Sequence, residues 1–226
     1  MPEVIIVAGP NGAGKTSFAN KHFDVPRPGF VYLNADEIAR SLDRTGLSQP
    51  ELDIRAGREM LTRIDALVAA RLSFMLETTL ASLGYVRKLR QWRAAGYRTA
   101  LIYLRLPNVE MSRERVRRRV ACGGHGLPES VIRQRFAKSV DYLERYYKSA
   151  VDEWYIWDSL EGDFRRAEAW KRLTDTIIDI EEVQAELDRA ARDAQSGPAE
   201  VRAGRFVHEA AEKVGGAADH SVARGS

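Results

Sequence analysis

Residues 9 to 16 read Gly-Pro-Asn-Gly-Ala-Gly-Lys-Thr and follow the apolar run Val4-Ile5-Ile6-Val7-Ala8 without a break. The octapeptide fits G-x-x-x-x-G-K-[ST], a phosphate-binding loop whose chemistry requires a strand entering it and a helix leaving it. Gly9, Gly12 and Gly14 let the backbone curl tightly enough to turn successive N–H groups inward on a triphosphate. Lys15 then reaches the β- and γ-phosphates, and Thr16 offers a hydroxyl to Mg2+. A helix opening near Gly14 adds the positive end of its dipole. Pro10, Asn11 and Ala13 complete the loop, and Ser17 follows in the first helical turn. A glycine turn that merely joins strand to helix would not call for the Lys-Thr pair. The chain is therefore expected to bind a nucleoside triphosphate, with Mg2+.

Short apolar runs recur at Val4–Ala8, Phe30–Leu33, Phe74–Leu76, Leu101–Leu106 and Trp154–Trp157, with helical patterns between them. Such alternation predicts an α/β P-loop NTPase fold, a five-stranded, mostly parallel sheet flanked by helices. Leu52, Met60, Ile64, Leu67 and Val68 form the apolar stripe of one long helix, and Gly96 stops the helix carrying Val86, Leu89 and Trp92. After Pro107-Asn108 a helix should turn Val109, Val116 and Val120 inward, until Gly123-Gly124-His125-Gly126 breaks it. Another helix starts near Pro128 and carries Ile132, Phe136, Val140 and Leu143 toward the core. Two helices around a glycine hinge suggest a movable lid at about 113–136. Ala185 to Ala194 reads as a terminal helix, and 196–226, rich in Gly and Ala, as a flexible tail.

Composition narrows the function classes. At 226 residues and 44% hydrophobic, the chain can bury one substantial core. A net charge of +3 is too balanced for a general nucleic-acid binder. Cys122 is the single cysteine, which excludes an intrachain disulfide and fits a reducing compartment. Its neighbourhood offers no base or second thiol, so it reads as a packing residue. No apolar run approaches membrane-spanning length, and the sequence enters its first strand at once, so a cytoplasmic protein is expected.

In an open parallel sheet, ligands gather at the carboxyl ends of the strands. The second strand ends Leu33-Asn34-Ala35-Asp36-Glu37, where Asp36 can accept the proton of an attacking hydroxyl or hold water on Mg2+, or instead cap a helix starting at Ile38. The third ends Glu77-Thr78-Thr79, polar groups suited to a polyhydroxylated substrate or to a turn. The fourth, Leu101 to Leu106, lacks a terminal Asp of the Walker B type, which weakens a motor or switch reading and favours a kinase. Arg113, Arg115, Arg117, Arg118, Arg119, Arg133 and Arg135 crowd the lid; helical geometry lets two or three act on a transferring phosphoryl group. His125 reads as a phosphate contact or as an exposed turn residue.

Together these pieces resemble the zeta toxin family of P-loop kinases. The matching segments are Gly9 to Thr16, Asn34-Ala35-Asp36, Ala56-Gly57-Arg58, Glu77-Thr78-Thr79-Leu80 and Gly96-Tyr97-Arg98. They continue through Arg119-Val120, Gly123-Gly124-His125, Pro128-Glu129 and Arg135-Phe136 to Asp152-Glu153-Trp154 and Trp157-Asp158. The matching segments cover roughly residues 3 to 160 of a kinase domain read over residues 1–195, and the resemblance implies that it moves the γ-phosphate of ATP to the 3′-hydroxyl of the amino sugar in UDP-N-acetylglucosamine, with an antitoxin protein as partner. By position it makes Asp36 the general base and a metal-side carboxylate, Lys15 and Thr16 the phosphate and metal ligands, and Arg119 and Arg135 the catalytic lid arginines. Glu77, Thr78, Thr79 and His125 become substrate contacts, with Arg133 as a substitute for Arg135. Two other readings stay open: a kinase of another small hydroxyl compound or of a nucleic-acid end, and a nucleotide-gated binding module without catalysis.

Overall fold

The structure is a computed structural model and describes residues 1–23, 25, 29–43, 45–124, 126–160 and 163–171. Its centre is β1 (Glu3–Ala8), whose Val4 to Ala8 are all buried. An apolar run without alternation is what a strand covered on both faces requires. Alternate residues serve opposite faces. Val4, Ile6 and Ala8 pack with Met60, Ile64, Leu89 and Trp92, whereas Ile5 and Val7 pack with Phe18, Ala19 and Phe23 of α1 (Lys15–Phe23). Beside β1 lie β2 (Phe30–Leu33), β3 (Ser73–Thr78), β4 (Arg98–Arg105) and β5 (Glu153–Ser159). The sheet order is β2-β3-β1-β4-β5-β6, with every pair parallel except the last.

The sixth strand, β6 (Phe164–Lys171), is an addition to the five expected. It reads Phe-Arg-Arg-Ala-Glu-Ala-Trp-Lys and gives no apolar run. It returns antiparallel to β5 at the sheet edge, where polar side chains are tolerated and cross-strand pairs replace deep burial. Trp154 stacks on Trp170, and Arg105 pairs with both Asp158 and Glu168.

The long helix, α3 (Gln49–Ala69), follows α2 (Ala35–Ser41) and buries Leu52, Met60 and Ile64 as its stripe predicts. Next, α4 (Gly84–Ala94) ends at Ala95, and Tyr97 and Gly96 donate back to the carbonyls of Trp92 and Arg93, closing the helix where Gly96 forecasts it. The lid segment is a helical pair, α5 (Val109–Ala121) and α6 (Glu129–Tyr142), continued by a π-helical turn over Leu143–Tyr147 and by α7 (Lys148–Ala150).

Two inward positions are corrected. Val120 is 42% exposed, because α5 turns Ser112 and Val116 inward and its last turn outward. Val140 is 43% exposed; the buried position is its neighbour Ser139, whose hydroxyl is 3.0 Å from that of Tyr103. The phenol of β4 needs a polar partner once buried, and meeting it rotates the apolar stripe by one residue. The terminal helix and tail expected beyond residue 171 lie outside the described residues. Among the described residues no helix is long and apolar enough to cross a membrane.

Asp152, from the Asp-Glu-Trp segment, fastens β4 to β5. Its carboxylate accepts from the backbone N–H and hydroxyl of buried Thr99 at 3.0 and 2.9 Å and pairs with Arg93 at 2.8 Å. Asp152→Ala leaves the Thr99 donors without that partner, and urea denaturation should show a loss of about 2 kcal/mol.

Candidate active site

The phosphate loop is fixed from behind by its carbonyls. Gly9 passes so close to β4 that an added Cβ would lie 2.5 Å from the Leu104 carbonyl oxygen. Ser112 donates to the Asn11 carbonyl at 2.6 Å, and Arg115 reaches the Gly12 carbonyl at 3.5 Å while holding Ser159 at the end of β5 through its hydroxyl at 2.6 Å and its carbonyl at 3.1 Å. The Lys15 ammonium donates to the Gly9 and Pro10 carbonyls at 3.0 and 3.1 Å. Of the seven lid-region arginines, Arg115 thus serves the loop's backbone, a role its sequence position did not disclose. Phe164 of β6 lies on the flank, 3.3 Å from where a Cβ on Gly14 would sit.

Four charged groups surround Lys15. Burial pulls its ammonium down to about 8; Glu77 and Asp36 pull upward, and Arg119 and Arg135 push down with burial. The P-loop lysine, two strand-end carboxylates and both expected lid arginines therefore share one electrostatic neighbourhood. Asp36 arrives there on the first turn of α2, which Asn34 caps: the Asn34 side-chain oxygen accepts from the Asp36 N–H at 2.8 Å. The helix thus begins at Ala35 rather than Ile38, and Asp36 is not its cap. The Asp36 carboxylate is exposed and acts electrostatically on the loop's lysine instead of being spent on a helix terminus.

Glu77 ends β3 opposite Val7 of β1, so the parallel register carries it beside the loop. Thr16 donates its hydroxyl to Glu77 Oε2 at 3.1 Å, and the Tyr32 hydroxyl donates to Glu77 Oε1. Burial raises the pKa of the Glu77 carboxyl above its ordinary value, opposed by the Tyr32 hydroxyl, Lys15 and Thr16. Burial likewise raises that of Tyr32, with Glu77 adding to the effect. Asn34 Nδ2 reaches the Tyr32 hydroxyl at 3.4 Å and Thr16 Oγ1 at 3.5 Å. Glu77 stands at the position that the fourth strand lacks, since the sheet order makes β3, not only β4, a neighbour of β1. Tyr32 escaped notice because it sits inside the apolar run of β2.

Thr78 turns its hydroxyl to the N–H of Leu80 at 3.2 Å, and its carbonyl accepts from the N–H of Gly9 at 3.3 Å. Leu80 is fully buried with φ at 54°, so packing holds a backbone conformation that costs a leucine roughly 1 kcal/mol. Thr79 is half-buried at the same strand end, and Ser17 is exposed in the first turn of α1. Arg133 is engaged elsewhere, pairing with Glu129 at 3.1 Å and Glu110 at 3.4 Å. Arg113 also pairs with Glu129, so these ions staple α5 to α6. His125 lies outside the described residues.

The Gly-Gly pair has a local cause. Gly123 donates to the Val120 carbonyl and Gly124 to the Arg119 carbonyl, both at 2.9 Å, which ends α5 in a Schellman turn over Arg119. A Cβ on Gly124 would lie 2.6 Å from Arg119 Cγ and 2.7 Å from its carbonyl oxygen. Only glycine lets the chain cross there.

A phosphate loop between a central parallel strand and α1, with strand-end carboxylates and a helical lid, defines a P-loop nucleotide-binding protein of kinase-like architecture. The AAA domain family model matches residues 4–144, and the chain belongs to that family. An uncharacterized protein of Haemophilus influenzae is 25% identical over 135 residues, 59% of this chain and 92% of the relative. Among solved structures, one from the PezAT chromosomal toxin-antitoxin system of Streptococcus pneumoniae superposes with a TM-score of 0.57 at 15% identity, covering 85% of each chain. The AvrRxo1-ORF1:AvrRxo1-ORF2 complex with sulphate ions gives 0.61 at 13% identity, covering 82% of this chain and 63% of that one. At such identities the likeness is one of fold.

Two outcomes follow from this geometry. Gly124→Ala should weaken Mg-ATP binding in the same direction as Arg119→Ala, and the double variant should lose less than the sum of the two, because the added Cβ displaces the Arg119 side chain as well as its carbonyl. Lys15, cationic below about 8, becomes a neutral amine above it, and a bound triphosphate must then draw a proton onto it. ATP affinity should fall by about tenfold per pH unit at most once pH passes that value, with calorimetric proton uptake at pH 9 that Lys15→Met abolishes.

Proposed function

We propose that the chain is an ATP-dependent kinase that transfers the γ-phosphate to a hydroxyl of a sugar nucleotide, the 3′-hydroxyl of UDP-N-acetylglucosamine. The observation that carries this reading is the convergence of Asp36, Glu77, Arg119 and Arg135 on Lys15. A loop that only binds nucleotide has no use for an exposed carboxylate beside its lysine at the start of α2, whereas a hydroxyl acceptor needs one to take its proton. The resemblance to zeta toxins supports the acceptor, and the fold likeness to PezAT and to AvrRxo1-ORF1:AvrRxo1-ORF2, the latter also in a structure with ATP, supports the cofactor. Both are toxin-antitoxin or two-component complexes by name, and a protein partner that covers the nucleotide site is part of the proposal.

In this reading Lys15 and the loop N–H groups hold the β- and γ-phosphates, and Arg119 and Arg135 meet the charge that develops on the equatorial oxygens. Asp36 accepts the acceptor's proton as the new O–P bond forms. Thr78, Thr79 and the Glu77 carboxyl line the acceptor side, with His125 contributing from the lid, while Arg133 stays in its pairs with Glu129 and Glu110. The hard oxygens of Thr16, Asp36 and Glu77 fit Mg2+, an ion that takes few protein ligands beside phosphates. When bound it would neutralise charge between β- and γ-oxygens.

The test is incubation of the protein with Mg-ATP and UDP-N-acetylglucosamine and mass spectrometry for a product heavier by one phosphoryl group. Asp36→Asn should retain ATP binding and lose at least about 100-fold in turnover. Unchanged turnover would remove Asp36 as the base. No product from the native chain, with ATP binding intact, would reject the acceptor.

A further inference from the structure

Four side chains, from α1, β2, the cap of α2 and β3, close a hydrogen-bonded ring beside the phosphate loop. Asn34 Nδ2 donates to Tyr32 and to Thr16, and Tyr32 and Thr16 each donate to one oxygen of Glu77. The ring has a direction. With Glu77 ionised, the amide nitrogen can only donate and the carboxylate can only accept, so the protons of both hydroxyls point to Glu77. The remaining atom of Asn34 is also used, because Oδ1 accepts from the Asp36 N–H at 2.8 Å.

Counting lone pairs on Thr16 gives the consequence. A hydroxyl has one proton and two lone pairs. The proton goes to Glu77 Oε2 and one lone pair accepts from Asn34, which leaves a single lone pair for a ligand. Thr16 is exposed, so a ligand can reach that lone pair. Glu77 imposes this orientation, and Tyr32 in turn fixes Glu77 by occupying its second oxygen.

We propose that Tyr32 is a positioning residue: through Glu77 it locks the Thr16 hydroxyl with its free lone pair toward the divalent cation that accompanies the nucleotide. This rests on the reading that the chain binds Mg-ATP, and it is independent of whether a phosphoryl group is then transferred. Tyr32→Phe keeps the ring of β2 in place and deletes only the hydroxyl, so Glu77 Oε1 loses its donor and the carboxyl can turn away from Thr16. Glu77→Gln should act more strongly, since an amide at that point brings two donors to a place built to accept.

The experiment is calorimetric titration of native protein, Tyr32→Phe and Glu77→Gln with ATP, once in excess Mg2+ and once in EDTA, with a thermal melt of each. The native chain should bind more tightly with Mg2+. Tyr32→Phe should lose about three- to tenfold of that gain while its affinity in EDTA stays within about twofold, and Glu77→Gln should lose more. Equal losses with and without Mg2+ would mark Tyr32 as a structural residue only and overturn the proposal. Full retention of the gain, or a native chain whose affinity ignores Mg2+, would overturn it too. A chain that shows the expected pattern yet phosphorylates no acceptor would remove the kinase reading and leave this one standing.

Discussion

The arrangement depends on burying a tight backbone curl without leaving its carbonyls unpaired. Gly9 slides under Leu104 of β4 with no room for a side chain, and the carbonyls of Gly9, Pro10, Asn11 and Gly12 take donors from Lys15, Ser112 and Arg115. With its carbonyls held from behind and from within, the loop can present N–H groups to an anion on its other side. Residue choice in the motif follows from this packing as much as from the ligand.

α5 consequently has two duties. Its first half, through Ser112 and Arg115, buttresses the loop and the end of β5; its last turn carries Arg119 into the field around Lys15. The glycine pair then stops the helix over the Arg119 carbonyl, so the turn that carries this arginine is closed directly behind it. α6 follows as a unit because Arg113, Glu129, Arg133 and Glu110 tie it to α5. Exposed ion pairs of this kind contribute little to stability, but they hold two helices in register.

On the opposite side of the loop, sheet order decides which polar groups meet. Because β3 lies between β1 and β2, the ends of β2 and β3 deliver Tyr32, Asn34, Asp36 and Glu77 to one place. The ring that results links the cap of α2 to Thr16, so the carboxylate on α2 and the hydroxyl on α1 are set by one amide, that of Asn34.

Much of this was legible in the chain. The loop motif needs a strand before and a helix after it, and period and composition are enough to find both; the five apolar runs mark the five parallel strands because strands covered on both faces are mostly apolar at their centres. Gly96 and Gly123-Gly124 end their helices where they stand, since a left-handed or closely crossed position excludes other residues. Lys15 and Asp36 could be picked out as residue types in the loop and at a strand end, and the family resemblance singled out Arg119 and Arg135 among the lid arginines. What stayed hidden depends on partners distant in sequence. β6 has no apolar run because an edge strand buries little, Val140 yields to Ser139 only because Tyr103 demands a partner, and Arg115 looks like its arginine neighbours until the loop is packed against it. Tyr32 reads as core in a strand and becomes a site residue only when β3 brings Glu77 to its hydroxyl. Sequence determined the elements, whose signals lie within one turn or one strand; the tertiary structure alone decided which polar atoms pair, because a hydrogen bond over tens of residues is set by register and burial rather than by local pattern.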